Sequence, residues 1–177
     1  LRYLNSNKIL VLLLGTMLLL GMVLFQYPGL LDAILGSATP YYEYKLYDIV
    51  NEKYIKLSSI KGNKLIIFFD SRDYGYIDVV DTLNQIRSTI STKNIKVIFV
   101  DIGGNITGLI QVINSDYRMM FYRWVYDTDS MHKKMNLIDI SSVPIYFIPK
   151  DSWDYYLVGD RGVAPEILED NVLNYLG

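Results

Sequence analysis

The chain has 177 residues, 51% of them hydrophobic, a formal net charge of −2 and no cysteine. This composition fits a folded protein rather than a disordered one, and the absence of any basic block argues against nucleic acid as a partner. Without cysteine there are no disulfides, thiolate nucleophiles, thiolate zinc sites, iron–sulfur ligands or lipid-modified cysteine anchors.

Residues Ile9 to Phe25 read ILVLLLGTMLLLGMVLF, without a charge and with Thr16 as the one polar side chain. As a helix this run spans about 25 Å, and with Gln26 and Tyr27 in the headgroup zone it is long enough for a membrane anchor. A buried core helix would carry a polar stripe. A cleaved signal peptide would have a shorter apolar core and a nearby small-x-small site. The candidate Gly36-Ser37-Ala38 lies well beyond the core. Arg2 and Lys8 precede the run and no basic residue follows until Lys45. The positive-inside rule then keeps the N-terminus cytoplasmic and exports the rest. The expected organisation is a cytoplasmic N-terminus (1–8), a transmembrane signal anchor (9–27), a juxtamembrane linker (28–43) and an extracytoplasmic domain (44–177). Pro28-Gly29, Gly36-Ser37 and Thr39-Pro40 punctuate the linker.

Leu65 to Phe69 is a continuous apolar run, as expected of a strand buried on both faces. Ile77, Val80, Leu83, Ile86 and Ile90 mark one face of a long amphipathic helix. Ile95 to Val100 is a second buried strand. Together these form a βαβ unit with parallel strands and a right-handed crossover. Gly103-Gly104 is a turn signal without dinucleotide-binding spacing. Asn105 to Ile113 predicts a helix weakened by Gly108, and Asn105-Ile106-Thr107 is a glycosylation sequon. Tyr117 to Val125 is aromatic and ambiguous in type. Ser130 to Met135 suggests a short helix capped by Asp129. Ile145 to Ile148 and Trp153 to Val158 predict an antiparallel hairpin. A final helix starts at Pro165, a residue suited to a first helical turn. The order predicts an α/β domain with a mixed sheet flanked by helices.

The phrases Tyr47-Asp48, Asn51 to Tyr54 and Leu57 to Lys64 resemble the opening of the thioredoxin-like superfamily, especially its membrane-anchored TlpA/ResA-type members. Leu65 to Ser71 resembles the strand before that family's active site. Ser142 to Ile148 resembles its cis-proline segment, and Val158-Gly159 with the closing helix resembles its tail. The resemblance covers roughly residues 44–177. It implies a thioredoxin-like mixed sheet flanked by helices, preceded here by one N-terminal transmembrane helix. The family's CxxC motif would fall on Asp73-Tyr74-Gly75-Tyr76, so Asp73 and Tyr76 replace the two sulfurs. Disulfide exchange requires a thiolate, and neither a carboxylate nor a phenol supplies one. No oxidoreductase or peroxidase activity is therefore expected.

Asp73 stands where it would cap the long helix. The resemblance also implies a peptide groove between Tyr74, Tyr76 and the Val143-Pro144 loop, used by strand addition without catalysis. Asp127, Asp129 and His132 form a suggestive metal cluster, but such a run is more often a solvated turn with a helix cap. No metal or cofactor is assigned. His132 lies near no G-x-S-x-G, which argues against a serine triad. Asp78 and Asp81 read as a solvated helix face.

Two functions follow. One is a redox-inactive, membrane-anchored binding or structural subunit of a membrane protein complex, contacting lipid through residues 9–27 and other subunits through the domain. The alternative is an accessory maturation factor or divergent enzyme that holds a peptide or cofactor in the degenerate site.

Overall fold

The computed structural model describes residues 39–137 and 140–176. The expected anchor at 9–27 and the linker up to residue 38 lie outside these. Among the described residues no helix is long and apolar enough to cross a membrane.

The centre is β3 (Lys64–Phe69), every residue of which is buried. Side chains of a strand alternate between faces. Leu65, Ile67 and Phe69 therefore enter one apolar cluster while Ile66 and Phe68 enter the other. Its neighbour β4 (Lys96–Asp101) does the same, with Val97 and Phe99 on one side and Ile98 and Val100 on the other. The two strands run parallel, Lys64 opposite Lys96 and Phe69 opposite Asp101. This is the pairing expected of the βαβ unit.

The full sheet has seven strands in the order β2-β1-β5-β4-β3-β6-β7. Here β1 is Lys45–Asp48, β2 is Lys53–Lys56, β5 is Arg123–Tyr126, β6 is Ile145–Ile148 and β7 is Tyr156–Gly159. Strand β5 is parallel to β4, and the remaining pairs are antiparallel. The β6–β7 hairpin is as expected, but β7 starts at Tyr156 rather than Trp153. The Trp153 ring instead stacks on Tyr42 at 4.2 Å and covers Lys64.

Four helices cover one face through buried residues. They are α1 (Tyr76–Gln85), α2 (Arg87–Thr92), α3 (Ile106–Ser115) and α5 (Pro165–Asn174). The short helix α4 (Met131–Lys134) and the single turns Tyr41–Glu43 and Leu57–Ser59 cover the other.

The structure departs from the periodicity at two places and gives a third feature a use. The helix expected over Ile77–Ile90 breaks at Ile86, whose backbone leaves the helical region (ψ 16°). Ile86 and Ile90 stay on the buried face, so the spacing continues across the break. The ambiguous 117–125 stretch divides into a 3₁₀ turn, Tyr117–Phe121, and β5. In α3 the glycine has a positive use. The Asn105 side chain accepts from the Gly108 N–H at 3.2 Å, and a Cβ on Gly108 would fall 2.6 Å from the Asn105 amide nitrogen. Gly108 thus admits the cap.

Candidate functional site

The segment matching the CxxC position lies at the C-terminal end of β3, where the chain turns into α1. Asp70 is bound by the Arg72 side chain and backbone N–H. The guanidinium hydrogen bonds hold the Asp70 carboxyl below its ordinary value. Ser71 is buried, and both its N–H and hydroxyl donate to Asp101 at 2.9 Å. Asp101 also accepts from Gly103 N–H (2.8 Å) and Gly104 N–H (3.2 Å). A buried carboxylate needs such donors. Here they tie the ends of β3 and β4 together.

Asp73 is not the cap of α1. That place belongs to Gly75, which has no side-chain cap. Asp73 Oδ1 accepts from the Gly75 N–H at 3.1 Å, closing a tight turn before the helix. Its other oxygen lies 3.9 Å from Arg161 Nη1. Both side chains are solvent-exposed, so this pair contributes little.

Tyr74 is exposed. Tyr76 is fully buried, packed on Phe69 at 4.7 Å and Trp124 at 6.0 Å between ring centroids. Its hydroxyl has no hydrogen-bond partner. Burial, with smaller contributions from Tyr74 and Asp101, pushes its pKa up to about 12. Tyr76 therefore presents no surface to a ligand.

The Val143-Pro144 loop does lie beside this turn. A Cβ on Gly75 would come within 3.5 Å of Val143 and 3.0 Å of Arg161. Both Val143 and Pro144 are buried. No peptide bond among the described residues is cis, so Val143-Pro144 is trans, unlike the family's segment, and Val143 has φ +53°. Strand addition needs free backbone groups, and this loop has spent most of its own. Val143 N–H donates to Ile140 O (2.9 Å), Ser142 O accepts from Arg161 N–H (3.0 Å) and Pro144 O accepts from Phe68 N–H (3.2 Å). The structure brings the candidate groove residues together as packing, with Tyr74 alone facing solvent.

Asp127 and His132 are also partners, in direct contact. Asp127 accepts from the N–H groups of Met131 (2.7 Å) and His132 (2.9 Å), and its Oδ2 lies 2.6 Å from His132 Nδ1. It is Asp127 that caps α4, correcting the choice of Asp129, whose carboxylate accepts from Lys45 N–H instead. Among the described residues no group of three or more acidic or histidine side chains is placed to hold a metal. Asp81 is paired with Arg118 rather than solvated alone.

Ser71, Asp101 and Arg161 shape this end of the sheet and were not singled out by sequence. For Asp101 a signal existed: an acidic residue closing a buried strand just before a Gly-Gly turn. For Arg161 there was none.

No family model and no curated protein sequence matches the chain. Solved structures do. Mycobacterium tuberculosis DsbF aligns with a TM-score of 0.62 at 12% identity, covering 78% of this chain and 98% of its own. A thioredoxin-like protein from Aeropyrum pernix gives 0.59 at 16%, covering 84% and 98%. A thioredoxin-family thiol:disulfide interchange protein from Chlorobium tepidum gives 0.59 at 14%, covering 78% and 97%. A seven-stranded mixed sheet with this strand order, aligned over nearly the whole length of these proteins, gives the chain a thioredoxin-like fold.

Proposed function

We propose that the protein is a redox-inactive, membrane-anchored thioredoxin-like domain that serves as a binding or structural subunit of a membrane protein complex. The observation that carries this reading is the burial of Tyr76. A thiol–disulfide exchanger needs an accessible thiolate at this turn. This chain has no cysteine, and one of the two corresponding positions is filled by an aromatic ring of the core. The uncharged run at 9–25 supports the anchor. The three internal backbone hydrogen bonds of the 142–144 loop weigh against the alternative, a groove that holds a peptide or cofactor.

Extraction in a mild detergent followed by native electrophoresis tests the proposal. The protein is expected to migrate with partner subunits in stoichiometric amounts. Recovery as a lone monomer under several mild conditions overturns it.

A further inference from the structure

The end of the sheet opposite the 73–76 turn carries a second surface. There the starts of β4 and β5, the turn after β1, α2, α3 and the Tyr117–Phe121 turn surround a groove of about 950 Å³. Ile90, Ile113 and Trp124 are buried beneath it. Its upper walls hold four large apolar side chains that remain in water: Val50 (60% exposed), Ile110 (40%), Met120 (71%) and Phe121 (52%). Such a patch rimmed by polar groups marks an interaction site.

The rim is charged, with positive groups in excess. Lys61, Arg87, Lys96 and Arg123 line the groove against Asp48 and Glu52, a surplus of two positive charges on a chain whose net charge is −2. Asp48 is already occupied, by the backbone and side-chain N–H groups of Asn51 and by Arg123 at 3.6 Å. The Arg87 guanidinium lies 3.4 Å from the Phe121 ring centroid. This cation–π contact sets a positive charge against the apolar wall.

We infer that this groove docks an amphipathic segment of a partner protein, its apolar face on Val50, Ile110, Met120 and Phe121 and its Asp or Glu residues toward Arg87, Lys61 and Lys96. The inference rests on the binding-subunit reading and gives it a location. A small ligand lodged in the groove would leave the rim side chains wet, whereas an apolar peptide face covers rim and floor together. Methionine at the rim suits a surface that repacks around its partner. A bilayer is a poor occupant because the apolar floor is recessed. A second copy joined through the same face would oppose like charges across the symmetric contact.

The test uses the full chain in its native membrane, with the photo-crosslinking residue benzoylphenylalanine placed at Met120 and, separately, at Tyr74. Position 120 is expected to yield one partner adduct. Mass spectrometry should map it to a segment with Asp or Glu within a helical turn of apolar residues. The Lys61→Glu/Arg87→Glu variant, altered only at exposed positions, should lower the yield about tenfold, as loss of one or two charge pairs implies. Adducts to lipid, to a second copy or to a segment without acidic residues overturn the inference, as does an unchanged yield after charge reversal. An adduct from position 74 with none from 120 overturns this location and leaves the binding role standing. No adduct from either position overturns both.

Discussion

The Tyr76 ring lies 4.7 Å from that of Phe69, tilted by 52°, and its hydroxyl is sealed in the core without a partner. Tyr122 shares this condition at the other end of the same core. A buried hydroxyl without a hydrogen bond costs its desolvation and returns nothing. Tyr76→Phe and Tyr122→Phe are each expected to leave the fold unchanged or to stabilise it by about 1 kcal/mol. Urea midpoints of the two variants check this, and a loss above that size in either would reveal a partner.

The same two phenols set an alkaline limit. Burial raises both to about 12 from an ordinary 10.0. Above pH 10 the unfolded chain loses these protons before the folded one does, so stability falls with pH until the folded groups also ionise near 12. Below pH 10 the two contribute no slope. Melting temperatures across pH 9 to about 12 should decline, and less steeply in the double Phe variant.

Lys64 is almost fully buried. Its ammonium donates to Gly62 O at 2.8 Å and sits 4.9 Å from the Trp153 ring centroid. Burial, with Lys61 nearby, lowers its pKa below 10.5. In the window between that lowered value and 10.5 the unfolded state holds the proton more tightly, so stability rises with pH there. Lys64→Met should remove that rise and leave the protein as stable at neutral pH, or about 1 kcal/mol more so. Chemical denaturation in steps from neutral pH to pH 10 would show it.

Asp101→Asn should cost about 2–4 kcal/mol. An amide turns an NH₂ toward the donors of Ser71, Gly103 and Gly104, and leaves at least one of them unsatisfied. Calorimetric melting reads the loss. Hydrogen exchange at the Ser71 and Gly103 amides should speed up more than in β6.

Gly103→Ala is expected to destabilise by about 1–3 kcal/mol. Its Cβ would fall 1.9 Å from Asp70 Oδ1 and 2.9 Å from the Ser71 backbone nitrogen. Displacing Asp70 would also release Arg72. A melting temperature equal to wild type would show that the Asp70 side chain swings aside freely.

The centre of the sheet was legible because β3 and β4 are continuous apolar runs bounded by turn residues, a pattern set by burial alone, whereas the short, half-exposed β1 and β2 were not read as strands. The break at Ile86 was not, because the buried positions keep their spacing across it. The cap of α4 was misplaced by two residues for a geometric reason. Ser130 sits at φ +59°, and that kink brings Asp127 rather than Asp129 over the helix start. At the candidate site the resemblance pointed to the turn between β3 and α1 but not to the depth of its residues. Tyr76 reads as a surface residue in the string Asp-Tyr-Gly-Tyr, and only the packing of Phe69 and Trp124 around it shows otherwise. The groove was invisible because its walls come from segments spread between Asp48 and Trp124.

The hairpin of β1 and β2 joins the rest of the sheet through two register pairs, Tyr47 with Tyr126 and Asp48 with Val125. With so little ladder, it is the part of the sheet expected to open first in native-state fluctuations. Its turn, from Ile49 to Glu52, is also one wall of the groove. Opening and occupancy are therefore linked. A partner seated against Val50, as inferred above, would hold the hairpin closed, and each fluctuation that lifts the hairpin would release it. If the inferred partner sits in this groove, the weakest seam of the sheet would set how long the complex lasts.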